Sequence, residues 1–278
     1  GVTRIEGDVI GDGSRYDDEF SVPSWENVSE YNAAHYDALM VDDGQFGPGT
    51  YGIVPSRSAA RSFLNLLTDQ GIEVDGSSGN ATAPAGLATL AEVDSAPLSE
   101  VVNDLLLTSD NMTAELVLKE IGYVTAGEGT RQAGIETVSD QLEQWGVDLS
   151  DLVIEDGSGL SRENRITCEA LVTVLGASPV PLGPFMPVAN QSGTLTREFV
   201  DSPVAGRLQA KTGTLNEVKA LSGVVDDARF SLLLNGEGAN TAEVYRPVWD
   251  AVAIAADEWS FEVAIDPEGL GPRPTEDR

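Results

Sequence analysis

The chain has 278 residues, 41% of them hydrophobic, with Gly and Pro near ordinary levels, so it can bury a substantial core as one large domain or two small ones and needs no fibrous or disordered reading. The formal net charge of −30, from 46 acidic against 16 basic side chains, excludes nucleic acid as a natural partner because such a surface repels polyanions. No apolar run approaches the roughly 20 residues of a membrane span, and the charge reads as a solubilising surface in preference to adaptation to a salty medium.

The chain opens "GVTRIEGDVIGDGSRYDDEF", with Gly in place of Met, no charged start and no apolar stretch of a secretory leader, and is expected to be a processed or truncated product. Residues 1–48 are rich in Asp, Gly and Ser; short apolar runs such as Val9-Ile10 predict brief strands between turns, in a region too small to fold alone. Asp8, Asp12, Asp17 and Asp18 lack the spacing of an EF-hand and read as a solvated acidic loop. The single histidine, His35, rules out a His-rich metal site, and with no G-x-S-x-G in the chain it is assigned to packing or surface.

From Pro55 the pattern turns helical, with Ala59, Ala60, Phe63, Leu64 and Leu67 on one face and Gly71 as the stop. Residues 77–97 read as a connection with at most one short strand. Two helices follow, "PLSEVVNDLLL" and "MTAELVLKEIG", with Ser109-Asp110-Asn111 at their junction, where polar side chains can project into a cleft from an anchored backbone. A third helix fits 131–145, ending before Gly146. Asp156-Gly157-Ser158-Gly159-Leu160-Ser161-Arg162 is a Gly-rich loop, after which Thr167 can cap a helix through Leu175. Cys168, the only cysteine, lies in that helix, forms no internal disulfide and is read as structural. "GRLQAKTG", "VKALSGVV" and "RFSLLLNG" are β-prone runs with turn-sized gaps, predicting an antiparallel meander. A helix around 241–256 should cover it, with residues 259–278 as a mobile tail. The echo of Ser192-Gly193-Thr194-Leu195 in Thr212-Gly213-Thr214-Leu215 has no repeat period and reads as coincidence or local turn chemistry.

Two short strings carry chemistry. On a strand, Lys211 and Thr212 point to opposite faces and the small Gly213 admits a close backbone approach. A Lys ammonium with the hydroxyls of Thr212 or Thr214 can hold a carboxylate, and a free amide there can stabilise an oxyanion. The plainer account is a strand Lys followed by a turn Gly. Likewise, Ser109-Asp110-Asn111 is a good helix-cap sequence, and only with the later string does it suggest a proton relay at Ser109 and a substrate hydrogen-bonder at Asn111. A serine acyl-enzyme with these two motifs takes its nucleophile from S-x-x-K. The three lysines here, Lys119, Lys211 and Lys219, are preceded three residues earlier by Leu116, Leu208 and Asn216, so no such motif is present.

"SDNMTAELVLKEIG", "DGSGLSRENRIT" and "GRLQAKTGTLNEVKALSG" together resemble the D-alanyl-D-alanine carboxypeptidase/endopeptidase family of class C penicillin-binding proteins, over nearly the whole chain except its tail. The resemblance implies an α/β (α+β) penicillin-binding transpeptidase/β-lactamase-like fold: an antiparallel sheet packed by helices, a helical cluster beside it and the cleft between. It implies that residues 1–48 end an inserted accessory domain, that 49–258 form an N-terminally incomplete transpeptidase-like domain, and that the nucleophile's helix precedes Gly1. Its absence is expected to leave an apolar groove beside Asn111 and Lys211 and an unpaired sheet edge. Carried over by motif, Ser109 relays a proton to the leaving amine, Asn111 holds the peptide and Lys211 supplies positive charge. Thr212 and Thr214 bind the terminal carboxylate beside Gly213, and Arg162 and Asn216 face the substrate's side chain. The implied activity is metal-free and cofactor-free acyl transfer from peptidoglycan stem peptides to water in an exported, cell-envelope protein. The full-length form would bind β-lactams, whereas this chain would be inactive alone. A nucleophile-less module that binds peptidoglycan peptides is the alternative, and a β-lactamase or related esterase is disfavoured by the loop at 156–162. Neither carboxypeptidase against endopeptidase preference nor oligomeric state follows from the sequence.

Overall fold

The computed structural model describes residues 1–25, 35–47 and 50–262. The chain divides into two compact units, Gly1–Thr167 and Cys168–Arg278.

The first unit begins with short strands β1 (Arg4–Ile5), β2 (Val9–Gly11), β3 (Gln45–Gly47) and β4 (Thr50–Tyr51). Helix α1 (Pro55–Asp69) follows, then β5 (Glu73–Val74) and β6 (Ser78–Asn80). The brief strands at the start are present, but β1 pairs with β5 and β2 with β6 in parallel, so α1 lies in the crossover between partners. Parallel pairing demands such a crossover. Proline at the start of α1 suits a position whose N–H has no intrahelical acceptor, and Gly71, at φ 80°, follows its end. The buried face of α1 is Pro55, Ser56, Ser58, Ala59 and Ala60, while Phe63 is exposed.

Helices α2 (Leu98–Thr108), α3 (Asn111–Ala126) and α4 (Arg131–Gln144) complete this unit. The α3–α4 turn has Gly127 in the left-handed region at φ 76° and Thr130 accepting from the Ala133 amide at 3.1 Å, two orthodox stop and start devices. The two helices approach closely because glycines meet: a Cβ on Gly122 would stand 2.8 Å from the Gly134 nitrogen. Residues 1–25 lie against α3. The buried Lys119 ammonium donates to the Asp17 carboxylate and the Glu19 carbonyl, both at 2.6 Å. Arg131 bonds Glu19 at 2.7 Å, Arg15 bonds Glu120 at 2.8 Å, and Val22, Tyr36 and Met112 form a small core. Asp8 and Asp12 are also put to use, accepting from the amides of Ser77 at 2.7 Å and Ala83 at 2.8 Å, which fastens the acidic turns to the later segment.

The second unit is built on the expected meander: β7 (Gln209–Leu215), β8 (Val218–Val225) and β9 (Ala228–Asn235), antiparallel in that order. Helix α5 (Cys168–Ala177) packs on β8 and β9, as does α6 (Ala242–Glu262), from opposite faces. Strand alternation decides which face: Ala210, Leu221, Val225, Ala228 and Phe230 join Tyr245, Trp249 and Ala253 of α6 in the core, whereas the Arg229 side chain lies against Gly176 of α5. Cys168 is half-buried. Helix α6 continues past 256 to Glu262; residues 263–278 of the expected tail fall outside the described residues, as do 48 and 49 at the expected domain boundary. No described helix is long and apolar enough to cross a membrane.

Candidate active site

Ser109 ends α2 and Asn111 begins α3, so the sequence junction is a structural one. Ser109 has φ 62° and ψ 48°, left-handed backbone that a non-glycine residue enters only when its surroundings over-determine it. Between the two candidates, Asp110 turns its carboxylate onto the Thr113 amide at 3.0 Å and caps α3. The helix-capping role of the tripeptide is thus performed by Asp110.

The loop from Asp156 to Arg162 is held by two buried carboxylates. Asp156 accepts from the amides of Gly159 at 2.8 Å and Ser161 at 2.6 Å, from Asn164 Nδ2 at 2.8 Å and from Trp25 Nε1 at 2.8 Å. Glu115, one helical turn after Asn111 on α3, accepts from the amides of Gly157 at 3.0 Å and Ser158 at 2.7 Å. Burial pushes the Glu115 carboxyl up to about 6, against the pull of its Ser158 and Gly157 hydrogen bonds and with the Asp156 charge adding to the rise. Gly157 is required here, since a Cβ would stand 2.6 Å from the Ala114 carbonyl oxygen. Arg162, at the loop's end, is exposed, and its carbonyl accepts from Arg165 at 2.6 Å.

In the second unit Lys211, Thr212, Gly213 and Thr214 lie on β7, an outer strand, with Asn216 in the turn to β8. Its far side is bridged at Gln209 by Val188, and no other partner strand pairs there among the described residues. Lys211 pairs with Ser222 and faces away from α6, and Thr212 and Thr214 alternate onto the other face. The Lys211 ammonium donates to the Thr212 carbonyl at 2.7 Å, and burial lowers it to about 8.

Two residues that the sequence did not single out join this strand. Thr194, in the Ser192–Leu195 echo, accepts from Thr212 Oγ1 at 2.9 Å, so the echo places a second threonine beside the first. Lys219 donates to Thr214 Oγ1 at 2.8 Å from the facing position on β8. The hairpin turn could have revealed this: Asn216 and Glu217 between paired Leu215 and Val218 fix Thr214 opposite Lys219. A cavity of about 410 Å³ between residues 197–203 and α6 includes Trp249 but none of the motif residues. Ser109, Asn111 and Arg162 therefore belong to the first unit and Lys211, Thr212, Gly213, Thr214 and Asn216 to the second.

A family model described as the D-Ala-D-Ala carboxypeptidase 3 (S13) family matches residues 53–257. A D-alanyl-D-alanine carboxypeptidase of Actinomadura sp. (strain R39) is 36% identical over 232 residues, covering 77% of this chain and 42% of the relative. Carboxypeptidase DacB of Mycolicibacterium smegmatis is 31% identical over 256 residues, 85% of this chain and 55% of the relative. The chain thus spans about half the length of these curated relatives. In fold it is similar to penicillin binding protein 4 (dacB) of Haemophilus influenzae, with a TM-score of 0.76 and 19% identity across 94% of this chain and 76% of that one.

Proposed function

The chain belongs to the D-Ala-D-Ala carboxypeptidase 3 (S13) family, and from that premise we propose that it carries the substrate-holding and proton-relay parts of a serine D-Ala-D-Ala carboxypeptidase/endopeptidase. The observation that carries this reading is the family match across residues 53–257, which spans both motifs. Ser109 passes a proton to the departing D-alanine nitrogen as the peptide C–N bond breaks, and Asn111 holds the peptide. Lys211 supplies positive charge, its lowered affinity for a proton suiting it to share one near neutral pH. The Thr212 and Thr214 hydroxyls take the terminal carboxylate, Gly213 keeps the strand open to the peptide, and the Thr214 amide points at the oxyanion. Arg162 and Asn216 meet the stem peptide's side chain. Acting on peptidoglycan, the protein works outside the cytoplasmic membrane, and β-lactams are ligands of its full-length form. Residues 1–48 end an accessory domain, and 49–258 belong to the catalytic one.

The attacking oxygen is not among these 278 residues, since no lysine stands three places after a serine. Loss of a serine nucleophile costs such an enzyme on the order of 10⁶ in rate. The purified chain is therefore expected neither to hydrolyse D-Ala-D-Ala peptides nor to take up a fluorescent penicillin covalently; a labelled band in a denaturing gel would overturn this. The same lysine count favours one other reading, a module that binds peptidoglycan peptides without cleaving them. An S-x-x-K with a leader encoded upstream of Gly1 selects the enzyme, and an initiation codon close to Gly1 selects the module.

A further inference from the structure

Lys219 belongs to neither motif, and its surroundings are specific. It stands opposite Thr214 in the β7–β8 register, and its ammonium donates to Thr214 Oγ1 at 2.8 Å. The same ammonium lies over two rings of α6, 4.4 Å from the Tyr245 centroid and 5.0 Å from that of Trp249. Those rings are buried in the core of the second unit, and Tyr245 is further fixed by its hydroxyl donating to Glu198 at 3.1 Å. The lysine is thus seated from below by aromatic faces, which attract a cation electrostatically. Its hydrogen bond reaches the exposed Thr214 at the sheet's outer strand.

A hydroxyl has one proton to give and two lone pairs with which to accept. When Lys219 takes a lone pair of Thr214 Oγ, the hydroxyl proton is left to donate to something else, and the adjacent positive charge makes it a better donor. A neutral residue at position 219 would leave Thr214 as free to accept as to donate. Lys211 cannot perform this service, because it projects from the opposite face of β7. We infer that Lys219 is a positioning residue for Thr214, committing its hydroxyl to donate toward an anion and adding a second positive charge on the Thr214 side of the strand. The ligand chemistry it selects is a carboxylate over its uncharged amide. This rests on the reading of Thr214 as a carboxylate-binding residue.

The test is titration of the whole 278-residue chain with N-acetyl-D-alanyl-D-alanine and, separately, with its C-terminal amide, followed by calorimetry or NMR. The wild type is expected to prefer the carboxylate. Lys219→Met should lower that preference by about tenfold, the size of one charge-assisted hydrogen bond, and Lys219→Arg should restore most of it. Added to Thr214→Val, the Lys219→Met change should cost little more, because the hydroxyl that it positions is gone. Lys219→Gln serves if the methionine variant fails to melt cooperatively. A wild-type preference that survives in a folded, neutral variant at 219 would overturn the role of Lys219 and leave the peptidase reading standing. A wild type that binds neither compound, or both alike, would overturn that reading and this inference together.

Discussion

Ser109 holds left-handed backbone at the end of α2, a conformation that costs a non-glycine residue on the order of 1 kcal/mol. Ser109→Gly would remove the cost and the hydroxyl together, so it should melt no lower than the wild type if the hydroxyl makes no contribution to stability. Lys211 carries its own signature. Burial lowers its pKa to about 8, so it is charged below that pH and neutral above it, and any anion held by its charge is released as pH rises through about 8. Titration of N-acetyl-D-alanyl-D-alanine should show that loss in the wild type, and Lys211→Arg, whose guanidinium stays charged, should not follow it. A wild-type affinity flat from pH 6 to 10 would remove Lys211 from carboxylate binding. Ser109, Asn111 and Lys211 could be picked out as candidates because each sits in a short string with a chemical meaning. The contacts of Lys219 and Thr194 could not be read in that way, since they run across strands and turns to other parts of the chain.

At the scale of elements, the link between α3 and the loop at 156–162 is Glu115, whose carboxylate stands between Asn111's helix and Arg162's loop. Its folded pKa of about 6 lies above the ordinary carboxylate value of 4.5. Between those values the folded state holds the extra proton, so stability falls as pH rises through that window, by about 2 kcal/mol in all. Glu115→Gln keeps one acceptor oxygen for the Gly157 and Ser158 amides while removing the charge. The difference in unfolding free energy between wild type and this variant should therefore shift across pH 4.5 to 6 and be level above it; a difference constant through that range would refute the assignment. Glu115→Ala should cost on the order of 3 kcal/mol by stranding two amides. The meander and the helices α2 to α4 could be read from the sequence because period, caps and turn residues agreed. The parallel pairs β1–β5 and β2–β6 could not, because strands of so few residues have no period and their partners lie across a long stretch of chain. Phe63 shares a predicted face with the buried Ala59 and Ala60 and is nonetheless exposed, because periodicity defines a face without saying whether anything covers it.

Over the whole molecule, 46 acidic side chains against 16 basic ones make self-repulsion a standing cost. Screening should relieve it, so the melting temperature is expected to rise between 50 mM and about 0.5 M sodium chloride, where the Debye length falls below that at physiological ionic strength. A melt that is unchanged or lowered would mean that the attractive pairs, such as Lys119 with Asp17 and Arg131 with Glu19, outweigh the repulsion. The helix α2 buries none of its residues among the described ones, and Leu90 and Val93 before it are almost wholly exposed. Trp249, meanwhile, lies in the core of the second unit with the Lys219 ammonium 5.0 Å above its ring. An indole's emission colour follows the electric field across it, so on the proposed reading of Thr214 an anion arriving there should draw on the same charge and shift that colour. Subtracting the spectrum of a Trp249→Phe variant would isolate the shift with no dye and no turnover needed, and an emission unchanged by N-acetyl-D-alanyl-D-alanine would count against an anion at Thr214.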